Sequence, residues 1–323
     1  MPLKMLQIIA PTAAENNIKK LVSETSVISF YKGALLEDDH ALYTLLTRAE
    51  DRQQLIDKLH DILQTSSKAR INILPVDATL PTVESRISGD TREELYQKVG
   101  HGAQLNFTYL LLTFLSTIVC LIGLLQDNVA VVVGAMVIAP FLGPNLAFAF
   151  ATSLGDKDLM KKSFICGTIG MSLAIIISAG VGALNGSVPT SVELISRTEV
   201  GISGVALAAA SGVAGVLSLT TGLSMTLVGV MVAVALLPPA ATFGYMLGAS
   251  YMKEASGAFL LLSVNIVCVN LAGLLVFLGQ GIQPRLWFER KMAKPFVLAG
   301  ILVWSVALIV LVSFIGFYNL VDL

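Results

Sequence analysis

The chain has 323 residues, 55% of them hydrophobic and only 13% charged, with a mean hydropathy of +0.78. A soluble domain needs far more charge to cover its surface, so this composition places most of the chain in a lipid bilayer. The net charge of -1 and a pI near 6.3 leave no basic excess of the kind that binds nucleic acid.

No positively charged stretch followed by a short apolar run and a small-residue cleavage site opens the chain, so an unprocessed N-terminus is expected. Residues 1–83 read as short strands alternating with amphipathic helices. The spacing predicts a strand over 6–9 and then a helix through Val22, opened by a capping box of Thr12 and Glu15. Strands follow over 26–31 and 41–46, separated by the turn cluster Glu37-Asp38-Asp39. Asp51 and Gln54 repeat the capping-box spacing before a second helix with Leu55, Leu59, Ile62 and Leu63 on one face. A last strand over 70–74 ends at Pro75. The order strand, helix, strand, strand, helix, strand is that of an α+β ferredoxin-like domain. Fold alone does not give function, so ligand sensing and a role in oligomerisation or docking are both open. Residues 84–104 are polar, with an amphipathic helix from Thr91, and are expected to form a connector at the bilayer surface.

About 20 apolar residues cross the hydrocarbon core as a helix. From Leu105 onward the hydropathy predicts seven transmembrane helices, near 105–125, 128–154, 161–183, 200–221, 223–249, 256–279 and 296–317. Lys157, Lys161 and Lys162 follow the second, and Arg285, Arg290, Lys291 and Lys294 follow the sixth. Cytoplasmic loops carry the excess of positive charge, so both loops belong inside. The N-terminal domain then lies in the cytoplasm of a prokaryotic inner membrane, and the C-terminal Val321-Asp322-Leu323 lies outside.

The membrane part matches itself at an offset of 95 residues. The segment VGAMVIAPFLGP (133–144) lies over VGVMVAVALLPP (228–239), with identities that include Gly134/Gly229, Met136/Met231 and Pro144/Pro239. The units 105–183 and 200–279 each hold three spans, an odd number, so the second enters the bilayer upside down and 296–317 is an extra helix. Inverted repeats of this kind build many secondary transporters. Pro140 and Gly143-Pro144 interrupt one middle span, and Pro238-Pro239 the other. Proline removes a backbone donor and frees carbonyls at membrane depth. Either these prolines only kink packed helices, or the breaks meet near the midplane and bind a solute. In the second case the candidate substrate-binding residues are Gly143, Pro144, Asn145, Pro238, Pro239, Thr242 and Asn265. Glycine at 143 permits conformations closed to other residues. Asn145 offers both a donor and an acceptor.

The segments DNVAVVVGAMVIAPFLGPNLAFAFATSLGD (127–156) and SLTTGLSMTLVGVMVAVALLPPAATFG (218–244) resemble the two signature blocks of a bacterial and archaeal membrane family, domain of unknown function 389. The similarity covers roughly 105–280. It implies the membrane architecture and leaves the substrate open.

Enzyme motifs fail on chemistry. Gly201-Ile202-Ser203-Gly204 has the look of an intramembrane serine protease, but that serine needs a base and no histidine follows His101. Gly204, Ala208 and Gly212 recur every four residues, as helix-packing positions do. Gly155-Asp156 resembles half of an aspartyl dyad, yet no second carboxylate lies mid-span. Cys120, Cys166 and Cys268 have neither CxxC nor metal-ligand spacing and are expected to pack in the core. The expectation is a non-enzymatic transporter or channel for a small solute or ion, homo-oligomeric, with no cofactor, metal or nucleic acid. The rival reading is a membrane-anchored signalling or scaffold protein.

Overall fold

The computed structural model describes residues 3–35, 39–48, 51–64, 66, 68–76, 79, 91–185, 191–220, 225–282 and 287–321. Glu37, Asp38, residues 84–90, Thr221, Ser224, Arg285, Asp322, Leu323 and the side chains of Ser203, Arg290 and Lys291 lie outside the described residues. The chain divides into two compact units, 1–94 and 95–323.

The first unit is a four-stranded sheet with two helices. Strands β1 (Leu3–Pro11), β2 (Val27–Leu35), β3 (His40–Arg48) and β4 (Arg70–Pro75) take the order β2-β3-β1-β4, with every neighbouring pair antiparallel. Alternation puts Leu6, Ile8 and Ala10 of β1 and Ala41, Tyr43 and Leu45 of β3 on the same buried face. Helices α1 (Glu15–Ser23) and α2 (Arg52–Leu63) cover that face with Ile18, Leu21, Leu55 and Leu59. The strand-helix order and the strand order are those of the ferredoxin-like split unit.

Neither expected capping box forms here. A capping side chain reaches the first turn only from an extended backbone. The residues that actually precede the two helices, Ala14 (φ -80, ψ -9) and Asp51 (φ -91, ψ -8), are already helical. Thr12 instead begins a 3-10 turn, and Glu15 turns outward to Lys19 and Lys32, both at 2.6 Å. A true capping box opens α3 (Arg92–Gly102): the Thr91 N–H donates to Glu94 Oε2 (3.0 Å) and the Glu94 N–H donates to Thr91 Oγ1 (3.3 Å). Glu94 also meets Lys4 at 2.8 Å and Arg52 at 3.3 Å, the latter with a side chain only 2% exposed.

The second unit is helical. Its elements are α4 (Phe107–Leu125), α5 (Val129–Ile138), α6 (Leu142–Leu154), α7 (Lys157–Asn185), the short α8 (Val192–Ser196), α9 (Ile202–Thr220), α10 (Met225–Gly248), α11 (Met252–Gly279) and α12 (Trp287–Val321). Among the described residues, α4, α7, α11 and the Ala293–Gly316 stretch of α12 are long and apolar enough to cross a membrane. The bent pair α5 and α6 makes a fifth if it counts as one span. Asn106 caps α4 by accepting from the Tyr109 N–H at 2.8 Å.

Element boundaries recur at the 95-residue offset. The ends of α4 map onto the ends of α9, and the start of α7 onto the start of α11. Helices α6 and α10 also end alike. Gly155 (φ 69) and Ser250 (φ 67) are both left-handed, and the Asp156 N–H to Ala151 carbonyl and Tyr251 N–H to Met246 carbonyl bonds are both 2.9 Å. Each is a Schellman ending, one on the glycine such endings favour and one on a serine.

The helices approach closely at small residues. A Cβ added at Gly244 or Gly248 of α10 would fall on the carbonyl of Ile175 or Ala179 in α7. At Gly212 of α9 it would lie 3.0 Å from the Val269 Cα of α11, whereas at Gly204 its nearest neighbour is a Leu261 methyl 3.9 Å away. The packing stripe expected along α9 is therefore tight only toward its C-terminal half.

Candidate functional site

The two segments read from the sequence as middle spans differ. In the first, α5 stops at Ile138, and Ala139 takes an extended conformation (φ -65, ψ 125) before Pro140. A residue preceding proline is pushed out of the α region, so the helix must end here. Helix α6 restarts at Leu142 at an angle of 53°. Pro144 sits in the first turn of α6, where an N–H would have no intrahelical acceptor, so it fits without breaking the helix. The expected interruption at Pro238-Pro239 does not form: α10 runs continuously through both prolines.

A neighbouring asparagine meets the carbonyl that Pro239 orphans, and two more asparagines lie at the first break. Pro239 lacks an N–H, so the Ala235 carbonyl four residues earlier has no helical donor. Asn265 of α11 donates its Nδ2 to that carbonyl at 2.6 Å. At the first break, Asn145 Nδ2 donates to the Phe141 carbonyl at 2.9 Å, and its Oδ1 accepts from Asn270 Nδ2 at 3.3 Å. Asn270 also donates to the Ile266 carbonyl at 2.9 Å. Asn270 is 2% exposed, and its Oδ1 has no hydrogen-bond partner among the described residues.

Pro144, Asn145 and Asn270 line a cavity of about 230 Å³ whose other walls include Phe148, Phe164, Met171 and Trp304. Phe148 stands between Phe164 and Trp304, each ring centroid 6.1 Å away. Of the sequence candidates, Pro144 and Asn145 lie in this cavity. Pro238, Pro239, Thr242 and Asn265 are buried and outside its lining. The Thr242 hydroxyl has no partner among the described residues. Gly143 is neither in the lining nor in the left-handed region. Its role is close approach, since a Cβ there would strike the Gly102 carbonyl. Asn270, Phe148 and Trp304 are not among the substrate-binding candidates read from the sequence. The available signal was Asn270 itself, an amide one helical turn from Ile266 in an apolar run, where an unmet polar group is costly.

The polar ends of the unit are committed to structure. Asp156 Oδ1 caps α7 through the Asp158 and Leu159 N–H groups (3.1 and 3.0 Å), and its Oδ2 accepts from the Tyr96 hydroxyl at 2.8 Å. This bond holds the Tyr96 phenol above its usual range. The Gly155-Asp156 pair is thus a helix ending followed by a helix cap. At the other end, Asp127 accepts from the Ser191 hydroxyl (2.6 Å) and the Glu193 N–H (2.8 Å), and these bonds keep its carboxyl below the ordinary range.

Long apolar helices, a proline break lined by amides and a separate α+β unit define a helical membrane protein with an N-terminal soluble-type domain. Residues 136–271 match the family described as Domain of unknown function (DUF389), a stretch that holds both prolines of α10 and Asn145, Asn265 and Asn270. An uncharacterized protein of Methanocaldococcus jannaschii is 32% identical over 265 residues, covering 80% of this chain and 82% of that one. The chain belongs to the DUF389 family. No solved structure matches it.

Proposed function

We propose that this protein is a transporter or channel for a small solute, built from two inverted three-helix repeats and a seventh span. In this reading α5 and α6 form one span, and α9, α10 and α12 complete the seven. The N-terminal unit faces the cytoplasm of a prokaryotic inner membrane as a regulatory or assembly module, and the protein works as a homo-oligomer. The observation that carries the reading is the α5–α6 break with the amide-floored cavity beside it. Irregular backbone at membrane depth must face protein or a cavity, and a simple anchor has no use for either. Support for the repeat comes from packing. The middle helix of the second unit, α10, lies against α7, and the middle segment of the first, α6, lies against α11.

Two experiments test this. Lys157 and Met252 are equivalent positions under the offset, so inversion puts them on opposite sides. In a background without the native cysteines, Lys157→Cys should be labelled only from the cytoplasm and Met252→Cys only from outside. Labelling of both from one side refutes the inverted repeat. In proteoliposomes the wild type should take up at least one member of a labelled panel of neutral, cationic and anionic small solutes. Asn145→Leu should lower that uptake to the protein-free background with reconstitution unchanged. A wild type that moves no class, or a variant that moves solute normally, overturns the transport reading.

A further inference from the structure

We infer that the cavity at Asn145 and Asn270 binds a small, neutral, largely apolar molecule with a single O–H or N–H donor, which enters sideways from the bilayer between α7 and α12. This rests on the transport reading's choice of the α5–α6 break as the functional centre, and names the class of molecule that centre accepts. The first argument is size and lining. At about 230 Å³ the cavity exceeds the roughly 150 Å³ void that holds benzene in an apolar core. Its apolar walls are Phe148, Phe164, Met171, Ile266 and Trp304, the hydroxyl residues Ser163, Thr168 and Ser172 also line it, and no ionisable side chain is among its described lining residues. A charged ligand would lose its hydration there without a counter-charge.

The second argument is the unmet acceptor. Asn145 is committed at both ends of its amide, and the Ser163 hydroxyl donates to the Leu159 carbonyl at 2.6 Å. Both donating contacts of Asn270 go to protein acceptors, which leaves Oδ1 alone in a side chain 2% exposed. Buried acceptors almost always have a donor, and leaving one unmet costs about 1–3 kcal/mol. The ligand must therefore present a donor at one end and an apolar body toward the aromatic walls. The third argument is the route. Phe164 is 63% exposed, and the apolar stretch of α12 is only 6% buried, so the α7–α12 side of the cavity faces lipid.

The test uses the full-length protein in nanodiscs with Trp287→Phe, which leaves Trp304 as the only tryptophan. Bromine quenches indole fluorescence on contact. 4-Bromophenol should quench Trp304 saturably, with a Kd at least tenfold below that of 4-bromotoluene, which has nearly the same shape with a methyl in place of the donor. Asn270→Leu should bring the two within about twofold of each other. Unsaturable quenching by both compounds, or equal Kd values in the wild type, overturns the inference whether or not the leucine variant folds. Uptake of a charged solute together with unsaturable quenching would sink the ligand class and keep the transport reading. Saturable, donor-dependent quenching without uptake of any solute would do the reverse.

Discussion

Asn265→Leu is expected to destabilise the membrane unit by about 2 kcal/mol, and most of that loss should vanish when Pro239→Ala is made in the same chain. The Asn265 amide is the donor for the Ala235 carbonyl, which Pro239 deprives of its helical partner. Leucine fills similar space but leaves that carbonyl buried and unmet, which is where the cost arises. Alanine at 239 restores an N–H four residues beyond Ala235 and closes the ladder without outside help. The two changes should therefore couple by at least about 1 kcal/mol in a double-mutant cycle read from unfolding of the purified protein. Additive effects would show that Asn265 and Pro239 are not linked through this carbonyl. The pairing also accounts for the carbonyl that Pro239 leaves without a helical donor where α10 continues.

Glu94→Gln should cost the first unit about 3 kcal/mol, because it removes a carboxylate held between Lys4 and the buried Arg52. Glutamine still suits the capping box with Thr91, so the loss isolates the charge. The pH dependence gives a second readout. Burial pushes the Glu94 carboxyl up, but the Lys4 ammonium, the Thr91 N–H, the Arg52 charge and the Thr91 hydroxyl outweigh it and hold the group below its ordinary range. Glu15 is drawn from 4.5 to about 2, first by Lys19 and then by Lys32. A carboxyl lowered on folding stabilises at pH above its unfolded value, and that stability is lost as pH falls through the folded value. The stability of residues 1–102 should thus fall as pH drops from about 4.5 toward 2. Wild type and Glu94→Gln should converge at the acid end, since glutamine has no proton to gain. A constant difference between them at all pH values would show that the Glu94 charge is not the stabilising element. A fragment ending at 83 lacks Glu94 altogether and should resemble the variant.

Periodicity made much of this protein legible. Alternation in β1 and β3 and the 3.6-residue spacing of Leu55, Leu59 and Leu63 announce the first unit, because each element must bury one face wherever its partners lie. The long apolar runs announce the membrane helices for the same reason. The 95-residue offset was also readable, and the paired endings at Gly155 and Ser250 fall at that spacing although their residues differ.

What the sequence could not determine was how each local signal was used. The Thr12–Glu15, Asp51–Gln54 and Thr91–Glu94 pairs share one spacing, but only the last has the backbone and long-range cations to form a capping box. Proline likewise signals a missing donor without saying whether the chain breaks. At Pro140 nothing local prevents an extended Ala139 and the span bends. At Pro239 an amide from α11 satisfies the orphan carbonyl and the helix continues. The same holds for Gly143, whose lack of a side chain serves contact with Gly102 rather than a special φ. Composition and hydrophobic period therefore determined which elements exist. Tertiary structure decided which polar groups find partners, because a hydrogen bond between Asn265 and Ala235, or Asn145 and Asn270, depends on distances that spacing along the chain does not contain.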